Sequence, residues 1–193
     1  MSGTLTLPSL RGLTAADRGR IEEISHAVGL FRADEIAVAL EVFDGAVAGA
    51  SAAGASVSVA PDYVALGAEH EGRLVGWICW GPTPCTLGTF DLYWMAADPA
   101  VHRSGVGTAL LHAMEARLAG VARLVLVETA GRADYAPTRA FYEARGYRAV
   151  SRIPDFYAPG DDQVVYTKIF DPSHPERSEG AMRRGMPPSL RSG

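Results

Sequence analysis

Residues 89 to 118 hold the feature that most narrows what this chain can fold into. "TFDLYWMAAD" reads as a strand, and the polar loop with Gly105 and Gly107 turns into a helix from about 105 to 119 that carries Leu110, Leu111, Met114 and Leu118 toward a core. A few residues on, "ARLVLVETA" is an unbroken leucine and valine run, predicted to be a strand buried on both faces. Strand, loop, helix and buried strand in that order fit a mixed sheet. The chain therefore builds a sheet with helices packed on it.

The rest of the pattern extends that sheet. After a short extended start, "ADRGRIEEISHAVGLF" places Ile21, Ile24 and Val28 at helical spacing, and "RADEIAVALEVFDG" follows as a second helix ended by Gly45. Residues 45 to 60 are almost all small and predict a loop or a ragged helix end. "YVALGAEHEGRLVGWICWG" is a hairpin turning at His70, Glu71 and Gly72. "APTRAFYEARG" is a short helix closed by Gly146, and two strands follow, near "YRAVSRI" and "DQVVYTKIF", joined by the polar turn "PDFYAPGDD". The predicted order is β-α-α-β-β-β-α-β-α-β-β, a mixed sheet in a domain of residues 1–170. Residues 171–193, with four prolines and almost no large apolar side chain, are expected to form a disordered tail.

Charge and composition exclude several functions. A formal net charge of -4 leaves no basic footprint for nucleic acid. No signal-peptide core opens the chain and no apolar run approaches the roughly 18 residues that span a bilayer, so a cytoplasmic location is expected, with no membrane partner. Cys79 and Cys85 are too few for a disulfide scaffold, and the five histidines form no ligand pair on one helix face, so no metal is expected.

Glycines at 105 and 107 let backbone approach a ligand, and the N–H groups at a helix start favour anions; alone, the pair fits a conformational turn equally well. A dinucleotide-binding fingerprint has Glu128 at the ribose-binding distance in its favour. It fails on bulky Leu110 at the third glycine position, on the long loop from Asp98 to Ser104, and on the short sequence remaining for a second nucleotide-binding half.

"DLYWMAADPAVHRSGVGTALL", followed by "TRAFYEARGYR" with Phe141, Tyr142, Gly146 and Tyr147, resembles the acetyl-CoA-binding segments of the GCN5-related N-acetyltransferases, the GNAT superfamily. The resemblance spans about residues 8 to 170. It implies the GNAT fold: a mostly antiparallel mixed sheet of six or seven strands, helices on both faces, and two central strands that splay apart. It implies acetyl-CoA as acyl donor, held by Met95, Ala96 and Ala97 on the strand and by His102, Arg103, Ser104, Gly105, Val106, Gly107 and Thr108 on the loop. His102 stands where Gln or Arg is usual, and Tyr135 where many members carry an asparagine that helps hold the donor. Tyr142 matches the tyrosine that protonates the departing sulfur, and Glu128 or Asp91 are candidate bases toward the amine acceptor. Asp155, Asp161 and Asp162 are either turn formers or part of an acidic mouth. The implied activity is acetyl transfer to a primary amine of a small molecule or peptide N-terminus. The alternative is a non-catalytic acyl-CoA-binding module. Dimers are frequent in the family, so a homodimer is compatible with the reading.

Overall fold

The computed structural model describes residues 8–52, 62–101 and 104–170. His102, Arg103 and the expected tail at 171–193 lie outside them. The elements follow the predicted order: β1 (Ser9–Gly12), α1 (Arg18–Val28), α2 (Ala33–Ala52), β2 (Val64–His70), β3 (Arg73–Pro82), β4 (Thr89–Ala97), α3 (Val106–Leu118), β5 (Leu124–Ala130), α4 (Ala136–Glu143), β6 (Arg148–Ala158) and β7 (Asp161–Ile169). Seven strands form one sheet in the order β1-β2-β3-β4-β5-β7-β6, and every neighbouring pair is antiparallel except β4 and β5. The mixed, mostly antiparallel sheet expected from the sequence is the one formed. Among the described residues no helix is long and apolar enough to cross a membrane.

Alternation along β3 divides the core. Trp77 and Cys79 point to the face covered by α1 and α2, where they meet Ile21, Ile24, Ile36, Leu40 and Phe43. Ile78 and Trp80 point to the opposite face, onto Leu110, Leu111 and Met114 of α3 and onto Val125 and Val127 of β5. Gly76 fixes how closely α3 approaches, because a Cβ there would sit 2.6 Å from Val106 Cγ1 and 3.1 Å from the Ala96 carbonyl oxygen. The first turn of α3 is thereby seated directly against the ends of β3 and β4.

Three local expectations change. Gly45 does not end α2; the helix continues to Ala52, because buried Ile36, Ala39, Leu40, Phe43 and Ala46 carry one apolar stripe through that point and alanine is the best helix former. The first half of the small-residue segment is therefore helix, and residues 53–61 lie outside the described residues. The polar stretch "PDFYAPGDD" is mostly strand: β6 runs to Ala158, and Pro159–Gly160 alone make the turn into Asp161, with Gly160 at φ +81°. Finally, β5 is covered on one face only. Val125, Val127 and Thr129 are buried under α3 and α4, while Leu126 is half-buried and Glu128 exposed. Helices α1 and α2 pack over β2 to β4 and stop short of β5, and the uncovered half of that strand becomes a wall of a cleft.

Candidate active site

Strands β4 and β5 begin as a parallel pair and then part. Thr89, Phe90, Asp91 and Leu92 are in register with Leu124, Val125, Leu126 and Val127; beyond Leu92 the pairing ends. The break coincides with a β-bulge. Cys79 pairs with Trp94 and Trp80 with Leu92, so Tyr93 is the extra residue on β4. From there β4 stays with β3 while β5 stays with β7, and a cleft of about 1110 Å³ opens between them.

The end of β4 offers that cleft unpaired backbone. Asp98 N–H donates to the Val75 carbonyl of β3 at 2.8 Å. Successive residues of a strand direct their polar groups to opposite edges, so Ala96 also faces β3 while the N–H groups of Met95 and Ala97 face the gap. Asp98 secures the corner that follows. Its buried carboxylate accepts from Ala100 N–H at 2.9 Å and pairs with Arg20 of α1, whose Nε also donates to the Leu74 carbonyl at 3.0 Å. The Ala100 hydrogen bond first, and Arg20 next, hold the Asp98 carboxyl below the usual carboxylate range.

Beyond this corner, Ser104 to Thr108 line the cleft. Gly105 is the N-cap of α3 at φ +82°, with open space where a Cβ would stand, so glycine is required there by conformation and not by crowding. Gly107 differs: a Cβ there would lie in ordinary contact, 3.4 Å from the Phe141 ring, so neither crowding nor a left-handed conformation demands glycine at that point. Among the described residues no side chain caps α3, so its first-turn N–H groups, which have no intrahelical acceptor, are open to a ligand. The Ser104 hydroxyl is buried without a partner among the described residues.

Tyr142 comes up beneath the gap from α4. Its side chain is buried among Phe141, Tyr147 and Tyr166, yet it lines the cleft and its hydroxyl has no hydrogen-bond partner among the described residues. Burial, with a smaller contribution from Tyr135, pushes its pKa well above the ordinary tyrosine value, so the hydroxyl keeps its proton at neutral pH. Tyr135, at the start of α4, also lines the cleft; its ring lies 4.8 Å from the Arg132 guanidinium, and burial raises its pKa to about 12.

The two candidate bases come together on the other side. Asp91 stands opposite Leu126, and Glu128 follows two residues later on the same face of β5. Glu128 accepts from Gln163 Nε2 at 2.8 Å and Asp91 from Thr83 Oγ1 at 2.7 Å. Desolvation between the cleft walls and then the negative charge of Asp91 raise the Glu128 pKa, against a lowering by Gln163. Two of the three loop aspartates are engaged within the β6–β7 hairpin, Asp155 accepting from Gly160 N–H at 2.6 Å and Asp162 pairing with Arg152 at 2.5 Å, while Asp161 reaches across to Arg132 at 3.4 Å. These contacts favour the turn-forming reading over the acidic mouth.

Several residues of the site escape sequence reasoning. Phe31 packs against Trp94 with ring centroids 4.9 Å apart and the planes tilted by 47°, and both line the cleft with Glu35 and Tyr157. Arg132 ties this side together: it donates to the Leu30 carbonyl at 2.5 Å, pairs with Asp134 at 3.0 Å and reaches Asp161. Arg145, inside the "FYEARG" stretch, lines the opposite end beside Thr108. For Phe31, Arg132 and Arg145 the only signal is an aromatic or arginine in a loop, which carries no address until the loops meet, and nothing local marks Trp94, Glu35 or Tyr157.

With that geometry in hand, the comparisons with known proteins converge. Residues 61–149 match a family model described as an acetyltransferase (GNAT) domain. A Desulfovibrio desulfuricans protein assigned to the GNAT family of acetyltransferases is 32% identical and shares the fold at a TM-score of 0.76, over 85% of this chain and 99% of that one. The Bacillus subtilis S-(2-succino)cysteine N-acetyltransferase is 32% identical over 84 residues, which is 41% of this chain and 51% of that enzyme. The yncA protein of Salmonella typhimurium, solved with its cofactor acetyl-CoA, shares the fold at a TM-score of 0.65 with 16% identity, over 86% of this chain and 96% of that one. The chain spans 63% and 51% of the length of the curated relatives it matches. The chain belongs to the GNAT family of acetyltransferases.

Proposed function

We propose that this chain transfers an acetyl group from acetyl-CoA to a primary amine of a small molecule or a peptide N-terminus, by direct attack of the amine on the thioester. The observation that carries the reading is the alignment of three features along one cleft. The unpaired N–H groups of Met95 and Ala97, the open first turn of α3, and the free Tyr142 hydroxyl all border the gap where β4 and β5 part. The acetyl thioester supplies an electrophilic carbonyl and a thiolate leaving group.

The first turn of α3 and the Ser104 hydroxyl suit the phosphates of the donor, and the gap suits its extended arm, which a strand edge engages by backbone hydrogen bonds. Fixed N–H dipoles of Met95 and Ala97 at the carbonyl oxygen stabilise the negative charge that grows there. The amine forms the new C–N bond as the C–S bond breaks. Tyr142, kept protonated by burial, gives its proton to the sulfur and regains one from solvent. The proton lost by the amine goes to Glu128, whose pKa is raised by desolvation and by the Asp91 charge, with Asp91 beside it as the second candidate.

The test is release of free thiol from acetyl-CoA with a panel of amines: polyamines, aminoglycosides, amino acids including S-(2-succino)cysteine, and N-terminal peptides. Wild type and Tyr142→Phe are run side by side. Release with one amine class, lost in the variant, supports the reading. Binding of acetyl-CoA without turnover on any amine points instead to the acyl-CoA-binding module.

A further inference from the structure

We propose that Arg145 is a cation of the cleft that binds a phosphate group of the acyl donor, and so sets the preference for a nucleotide-bearing thioester over a bare pantetheine one. The proposal rests on the functional reading above and assigns a role to a residue outside the phosphate loop.

Among the described residues lining the cleft, the arginines are Arg32 and Arg145. They are in opposite situations. Arg32 is already neutralised, by Asp34 at 3.1 Å and by Glu35 at 3.8 Å. No carboxylate of the described residues lies within ion-pair distance of Arg145. The nearest acidic influence on it is Glu115, which is committed to Lys168 Nζ at 2.8 Å.

The Arg145 guanidinium is nevertheless held in a fixed place. It lies on the Phe141 ring at 3.6 Å, and that ring in turn rests on Gly107. One terminal nitrogen donates to the Phe141 carbonyl at 2.8 Å and the other to Thr108 Oγ1 at 2.5 Å. A guanidinium has five N–H donors. Two are satisfied by these bonds, and Nε is buried with no partner among the described residues. A partly desolvated cation lacking a counter-ion is costly unless an anion arrives. This one is clamped to the third residue of α3, beside the first-turn N–H groups that favour anions for a separate reason. Planar stacking and spare paired donors make arginine suited to a phosphate.

A purely structural role for Arg145, as a clamp between α3 and the end of α4, predicts something different. Losing a clamp disorders the cleft for any ligand, whereas losing a phosphate contact affects only ligands that carry phosphate. Calorimetric binding of CoA and of pantetheine to the full chain separates the two. Arg145→Gln is expected to weaken CoA on the order of 10- to 100-fold, as for loss of a charge-assisted hydrogen bond, and to leave pantetheine affinity unchanged. It is also expected to flatten the salt dependence of CoA binding. Arg145→Lys, which keeps the charge without the fork, is expected to weaken CoA less than the glutamine variant and again to spare pantetheine. Equal weakening of both ligands in either variant, or CoA affinity unchanged in Arg145→Gln, overturns the proposal and leaves the acetyltransferase reading standing. Wild-type chain that binds pantetheine but not CoA overturns both.

Discussion

The two ends of the cleft are built in different ways. The end beneath α3 is made largely of backbone: the parted edge of β4, the turn fixed by Asp98, and the first turn of α3, all drawn from one stretch between Tyr93 and Thr108. The end toward Glu128 is made of side chains from distant parts of the chain: Phe31 and Glu35 between and on the first helices, Asp91 on β4, Glu128 on β5, and Tyr157 on β6. Backbone geometry tolerates side-chain change and suits a ligand common to many enzymes. A side-chain wall is altered by single substitutions and suits whatever differs between them. On the proposed function the two ends divide the work, with the shared donor on the backbone end and the acceptor on the side-chain end.

That division can be broken most forcefully at the point where the ends meet. Tyr142→Phe is expected to lower kcat by about 10²- to 10⁴-fold, the range for a general acid, while leaving the acetyl-CoA KM and the melting temperature nearly unchanged. Its hydroxyl makes no bond among the described residues to lose. A variant with normal turnover removes Tyr142 from the chemistry.

Changes at the backbone end should register as donor binding and stability. Asp98→Asn breaks the pairing with Arg20 and weakens the Ala100 turn, at about 2 kcal/mol for a charge-assisted contact, and it raises the acetyl-CoA KM without touching that of the amine. Because the folded Asp98 pKa is depressed, its stabilisation is full above the ordinary carboxylate value of about 3.9 and fades as pH falls through the folded value. Urea melts of wild type and variant should therefore differ at pH 7 and converge as acid is added. A constant difference down to low pH would falsify the ionic origin. Gly105→Ala is smaller, about 1 kcal/mol for an L-residue forced to φ +82°, again with a donor-specific rise in KM.

The subtlest effect lies at the side-chain end. Asp91→Asn removes the negative charge that helps hold the Glu128 pKa up, so the acidic limb of kcat/KM should move to lower pH. With Glu128→Gln that limb should vanish. If the limb survives both changes, neither carboxylate takes the proton, and the acceptor end orients the amine without deprotonating it.

How far the sequence reached follows the same line. The order of elements, the strand–loop–helix at residues 89 to 118 and the position of Tyr142 on a short helix were readable because each depends on neighbours within a few residues. Glu128 and Asp91 could be named individually, but their electrostatic coupling depends on a parallel register that aligns Asp91 with Leu126. Gly107 was readable as a glycine near the start of α3, while its place beside the Phe141 ring belongs to the packing of α3 on α4.

By itself, then, the sequence determined the local geometry: alternation and 3/4 spacing set strands and helices, and Gly105 set a left-handed corner at the start of α3. Only the tertiary structure decided where the cleft opens and what closes its ends. The parting of β4 and β5 at the Tyr93 bulge, the reach of Arg132 across to Leu30 and the charge of Arg145 beside Thr108, unpaired among the described residues, each depend on long-range contacts. The physical reason is that a side chain's neighbours across the chain, and not its own residue type, decide whether its charge is already satisfied or still awaits a ligand.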